Sequence, residues 1–232
     1  MDKIRWIIFS VVVIGGFAGL VIFSESTKIN VSDVKTDTIQ VASKDNGEIG
    51  DHIFGNVNAK VTLIEYGDYQ CSGCAAQHVK TKAITEQYKD QLRFIFRNYP
   101  LTSIHPNAKA AAAAVEAAGL QGKYWEMHNK VYEAQADWES LDGTERTDFF
   151  TAFAKDLSID TVKFASDMAS SNVGAKIDFD RALGVKLKVE ETPTFYLNGT
   201  HIDSSVWGDK AKLTDAINTE LTKAGVALPA TK

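Results

Sequence analysis

The stretch Glu65–His78, EYGDYQCSGCAAQH, holds the only two cysteines in the chain, Cys71 and Cys74. It stands where a β-rich apolar run, KVTLIEYGDY, gives way to a helical spacing of apolar or small residues at 75, 79, 83, 84 and 88. LRFIFRNYP then reads as a second buried strand, stopped by Pro100. Together they predict a strand–helix–strand unit with Cys71 at its first turn. The unsatisfied amides and positive dipole end of a helix favour a thiolate there, so the Cys71 thiol is expected to ionise readily. Cys74, one turn further in, is expected to face the strand and be shielded. That geometry makes Cys71 the exposed attacker and Cys74 the resolving thiol. A bridge across two intervening residues closes so short a loop that a structural staple is the weaker reading.

Glu65 lies within the first strand run, where a carboxylate is costly and needs a reason. Six residues before Cys71, it is placed to sit under the dithiol with a raised pKa and to take the Cys74 proton during resolution. Asp68, nearer the strand end, is expected to be solvated. Metal binding is the reading from another class, with Cys71, Cys74 and His78 as ligands. No fourth ligand is evident among the scattered His52, His105, His128 and His201, and no metal is expected. Attachment of a c-type haem is excluded because Ala75, not histidine, follows the CxxC. A third reading is a redox-inert binding module that presents exposed aromatics, Tyr69, Trp125 or Trp138.

The chain has 232 residues, 44% hydrophobic and 24% charged, with a formal net charge of −5 and no basic tract. Nucleic acid is therefore not an expected partner. Residues 6–23 are an uncharged apolar run that, at about 1.5 Å per residue, nearly matches a hydrocarbon core of roughly 30 Å. Lys3 and Arg5 precede it, which predicts a cytoplasmic N-terminus at residues 1–5, a retained single-pass signal anchor, and everything beyond outside the cytoplasm. Residues 24–50 show no sustained period and read as a linker that lifts the domain off the bilayer, with one short strand near Ile39–Val41.

After Pro100 the patterning is helical, from HPNAKAAAAAVEAAG through KYWEMHNKVYEAQADW, TERTDFFTAFAKDL and DTVKFASDMAS to VGAKIDFDRALGV. The alanine run reads as close helix packing. EETPTFYLNGTHI then predicts a strand over Thr194–Leu197 and a hairpin turn at Asn198–Gly199. A last helix over Asp209–Ala224 carries Leu213, Ile217 and Leu221 on one face.

Three separated motifs, FGNVNAKVTLIEYGDYQCSGCAAQH, IFRNYPL with HPNAKAAAAAVEAA, and ETPTFYLNG, resemble the DsbA-like branch of the thioredoxin superfamily, bacterial thiol-disulfide oxidoreductases that are membrane-anchored or secreted. The resemblance runs from about Phe54 to the C-terminal helix. It implies an α/β thioredoxin fold with an inserted all-helical domain: residues 51–100 as the first half, 101–188 as the insertion and 189–232 as the second half. It maps the nucleophilic cysteine to Cys71, the resolving one to Cys74, the buried acid to Glu65, and the substrate-binding loop with its cis X-Pro bond to Thr192 and Pro193. It implies no cofactor beyond the Cys71–Cys74 disulfide, reduced exported proteins as substrates, and a membrane partner that passes electrons to quinone. Two departures stand out. GVKLKVEETP makes a longer, charged approach to the Thr-Pro pair, so the last insertion helix is expected to run past Gly184. Ser72-Gly73 replaces the Pro-His of strongly oxidising members, so no imidazole tunes the helix N-terminus and Ser72 is left to donate one hydrogen bond. The reduction potential is accordingly expected between about −120 and −270 mV.

Overall fold

The computed structural model describes residues 29–229. Within the compact unit Val31–Lys232, five strands form one sheet in the order β1-β3-β2-β4-β5. They are β1 (Ile53–Gly55), β2 (Val61–Gly67), β3 (Leu92–Asn98), β4 (Thr194–Leu197) and β5 (Thr200–Ile202). β2 runs parallel to β3, and the other three pairings are antiparallel. α1 (Ser72–Gln87) makes the crossover between the parallel pair. All seven residues of β2 are buried, as a run covered on both faces requires. Asn198 and Gly199 both take positive φ, 48° and 78°, the geometry of a tight hairpin between β4 and β5.

Between β3 and β4 the chain is all-helical: α2 (Ala108–Gly119), α3 (Tyr124–Glu133), α4 (Gln135–Trp138), α5 (Gly143–Asp156), α6 (Thr161–Met168) and α7 (Ser171–Lys186). α7 does run past Gly184. The alanines of α2 are buried almost all round, where small side chains let neighbouring helices approach. α8 (Ser204–Trp207) and α9 (Lys210–Lys223) close the fold, and α9 buries Leu213, Ile217 and Leu221. One face of the sheet, with Val61, Leu63, Phe94, Phe96, Phe195 and Leu197, shares a core with Cys74 and Ile84 of α1 and the three α9 residues. Glu65 pairs in register with Phe96 and Phe195 and so belongs to this face.

Two expectations are corrected here. Residues 31–50 are not a free spacer, because their carbonyls solvate two long cations. The buried Arg97 donates to Thr36 O and Thr38 O and pairs with Asp51 at 2.8 Å; Lys186 Nζ donates to the carbonyls of Val31, Ser32 and Val34. Backbone carbonyls leave no mark in side-chain periodicity, which is why this stretch reads as featureless. No strand forms at 39–41; Gln40 instead pairs with Asp51 through one backbone bond and one carboxylate bond. The second correction concerns α1, whose buried face is Cys74, Gln77, His78, Thr81, Ile84 and Thr85, while Val79 is 68% exposed. Partners for its polar groups explain the rotation: Gln77 donates to Trp207 O at 2.9 Å, and His78 stacks on Tyr132. No helix among the described residues is long and apolar enough to cross a membrane, and the predicted span at 6–23 lies outside them.

Candidate active site

β2 ends at Gly67, and a turn of three residues delivers Cys71 to the N-cap of α1, its amide bonded to Asp68 O at 3.1 Å. Cys71 and Cys74 are both free thiols. Cys71 is partly exposed, and in the thiol form its Sγ donates to Thr192 O at 3.3 Å. Hydrogen bonding from the Cys74 thiol, foremost, then from Thr192 and the amides of Cys74 and Gly73, outweighs burial and brings the Cys71 thiol down to about 5. Those amides are the orphan donors of a helix N-terminus doing what dipole arguments predict. The amides of positions 73 and 74 reach the sulfur, while the Ser72 side chain is exposed. Cys74 is fully buried, and burial pushes its thiol well above the ordinary value.

The Thr192–Pro193 bond is cis. A Cβ on Gly73 would lie 3.6 Å from Cys71 Sγ and 3.7 Å from Pro193 Cδ, so position 73 looks onto both the Cys71 sulfur and the proline loop. Glu65, 3% exposed, lies beneath. Burial first, and the Cys71 charge second, push its carboxyl up to about 8. The site thus holds an ionised outer sulfur, a protonated inner one and a buried acid that can exchange a proton near neutrality.

Asp68 is not solvated. It is 1% exposed, accepts from the Gln70 and Leu101 amides at 2.8 Å each, and meets His105 Nδ1 at 2.8 Å. It ties the cysteine turn to the loop that opens the insertion. The insertion grips the same turn from the other side: Gln135 Nε2 donates to Tyr69 O at 2.7 Å and Cys71 O at 3.1 Å. Sequence reasoning missed Gln135, since nothing local distinguishes it from any other helix-start glutamine. His78 is not drawn into a ligand set with the cysteines. It packs between His128 and Tyr132, burial lowers its pKa to about 4, and no cluster of three potential ligands exists among the described residues. Nor is there an exposed aromatic patch at the residues named for one: Tyr69 and Trp138 are buried and Trp125 is partly buried.

A central sheet with a CxxC at the N-terminus of its crossover helix, facing a cis-proline loop, defines the thioredoxin class of fold. The family model described as thioredoxin matches residues 48–218, and the chain belongs to that family. The solved structure of oxidised BdbD from Bacillus subtilis superposes with a TM-score of 0.66, 22% identity, and coverage of 80% of this chain and 98% of that one. Alpha-DsbA1 from Wolbachia pipientis gives 0.64, 21% identity, and coverage of 75% and 92%. Among curated sequences, a Na(+)/H(+) antiporter NhaA 1 from Salinispora arenicola is 33% identical over 149 residues, 64% of this chain but only 22% of that one. The match therefore spans a small part of the antiporter's length.

Proposed function

We propose that the protein is an extracytoplasmic thiol-disulfide oxidoreductase that introduces disulfide bonds into exported proteins through Cys71 and Cys74. The observation that carries this reading is the partly exposed Cys71 at the N-cap of α1, its thiol lowered to about 5, beside a fully buried Cys74. A stabilised Cys71 thiolate is a good leaving group and makes the disulfide form the stronger oxidant. In the forward step a substrate thiolate attacks Cys71 Sγ, the Cys71–Cys74 bond breaks, and Cys74 leaves as a thiolate that takes a proton from Glu65. A second substrate thiolate then attacks the substrate sulfur of the mixed disulfide and displaces Cys71. The two electrons end on the dithiol. Thr192, beside Pro193 and next to the Cys71 sulfur, pairs through its backbone with the extended substrate segment. No cofactor beyond the cysteine pair is required. Residues 6–23 anchor the protein with its N-terminus in the cytoplasm, and a membrane partner linked to quinone reoxidises the dithiol. Ion exchange is not carried over from the antiporter relatives.

A reductase or isomerase is the second reading, favoured by Ser72-Gly73 between the cysteines. A thiol pKa of about 5 falls between roughly 3.5 for DsbA and roughly 7 for thioredoxin, so the potential decides. The full chain is equilibrated in graded glutathione buffers. A value above about −180 mV supports the oxidase, and one near about −270 mV supports a reductase. Cys74→Ser should trap substrate on Cys71 and Cys71→Ser should trap none; equal trapping by both would overturn the roles.

A further inference from the structure

Tyr132, in the last turn of α3, is buried, and its hydroxyl has no hydrogen-bond partner. An orphaned buried hydroxyl is destabilising and calls for a reason. Rings close its sides: Tyr69, His78 and His128 lie 4.7, 5.0 and 5.1 Å away between centroids. Its oxygen is 3.1 Å from where a Cβ on Gly67 would stand, and Gly67 lies two residues beyond Glu65 on the same face of β2. The next amide, that of Asp68, lies close enough to the Cys74 sulfur to favour its anion. Hydroxyl and sulfur therefore converge on one peptide unit.

Burial, followed by the charges of Cys74 and Glu65, pushes the phenol well above its ordinary pKa, so it remains a donor throughout the working range. The other titratable groups packed on it do not compete. Burial keeps His78 and His128 neutral and Tyr69 protonated, and Asp68 is engaged by Gln70, Leu101 and His105.

We propose that the Tyr132 hydroxyl donates a hydrogen bond to the Cys74 thiolate formed during exchange, and so sets how readily Cys74 attacks or leaves. The idea rests on the exchange reading above. In the reductive direction Cys74 gives its proton to the Glu65 carboxylate, its electron pair attacks Cys71 Sγ of the mixed disulfide, and the substrate departs as a thiolate. Tyr132 keeps its own proton. A neutral thiol is a weak acceptor, which accounts for the unpartnered hydroxyl in the dithiol form.

Tyr132→Phe removes one oxygen and leaves the ring packing intact. The reduced full chain is mixed with glutathione disulfide, quenched in acid at intervals, and the mixed disulfide followed by mass at several pH values. Attack by Cys71 should be unchanged within about twofold, while resolution by Cys74 slows about tenfold, the scale of a lost hydrogen bond to a charged group. The pH midpoint of resolution should move upward, because the Cys74 anion has lost a stabiliser. Unchanged resolution and midpoint, or equal slowing of both steps, would overturn the assignment. If the wild type forms no mixed disulfide at Cys71, the exchange reading falls and takes this proposal with it. Normal exchange in both proteins sinks only the role of Tyr132.

Discussion

Glu65 shows how one residue couples stability to the chemistry. Its carboxyl is held protonated up to about pH 8, against an ordinary value of 4.5, chiefly because ionising it would put a charge in a fully enclosed face of the sheet. The unfolded chain releases that proton near 4.5. The stabilisation is therefore complete below pH 4.5 and is lost as pH rises through 8. At pH 8 the loss is on the order of 4 kcal/mol. Glu65→Gln cannot ionise and lacks this slope. Urea unfolding of the reduced protein should show the variant close to wild type at pH 4.5 and more stable at pH 8. Parallel stability profiles for the two proteins would mean that Glu65 is solvated.

At the scale of elements, α7 is seated on the back of the sheet by a glycine. A Cβ at Gly184 would meet Tyr99 Cδ2 at 2.5 Å and Tyr66 Cδ1 at 3.1 Å, and Tyr99 cannot retreat without breaking its 2.6 Å bond to Val189 O. Gly174, in the first turn of the same helix, has open space around it. Alanine should thus act with opposite sign at the two positions. Gly184→Ala should cost about 1–3 kcal/mol through overpacking, while Gly174→Ala should gain roughly 0.5–1 kcal/mol from backbone entropy. Chemical denaturation checks both, and shifts in the same direction would contradict this packing. The crossover helix α1 obeys the same logic of contact over pattern: Val79 is left in solvent so that Cys74 and His78 can face inward.

For the whole molecule, the buried charges join the N-terminal segment, the sheet and the insertion. Asp51 binds Arg97 of β3 at 2.8 Å and Lys176 of α7 at 3.2 Å. Burial alone would raise its pKa, but the Lys176 and Arg97 charges prevail and hold it at about 2. Asp51 is thus ionised throughout mild acid, and its contribution is lost only as pH falls through about 2. Asp51→Asn should cost about 3–5 kcal/mol by leaving two cations short of a counter-charge, and should open residues 31–50 to proteolysis. A variant as stable and protease-resistant as wild type would show that this segment is held by other means.

Local features were legible in the sequence because their physics is local. The apolar run of β2 can only be covered on both faces, a cysteine at a helix start meets free amides, and Asn198-Gly199 between two β-rich segments makes a tight turn. Glu65 could be singled out because a carboxylate inside such a run is out of place. Tertiary structure alone decided which groups arrive from far along the chain. The burial of Asp68 depends on His105 and Leu101, the rotation of α1 on Trp207 and Tyr132, the grip of Gln135 on chain folded back from the insertion, and the docking of residues 31–50 on Arg97 and Lys186. Burial and partnership across such distances have no periodicity to read, since they are set by packing in three dimensions rather than by neighbours in the chain.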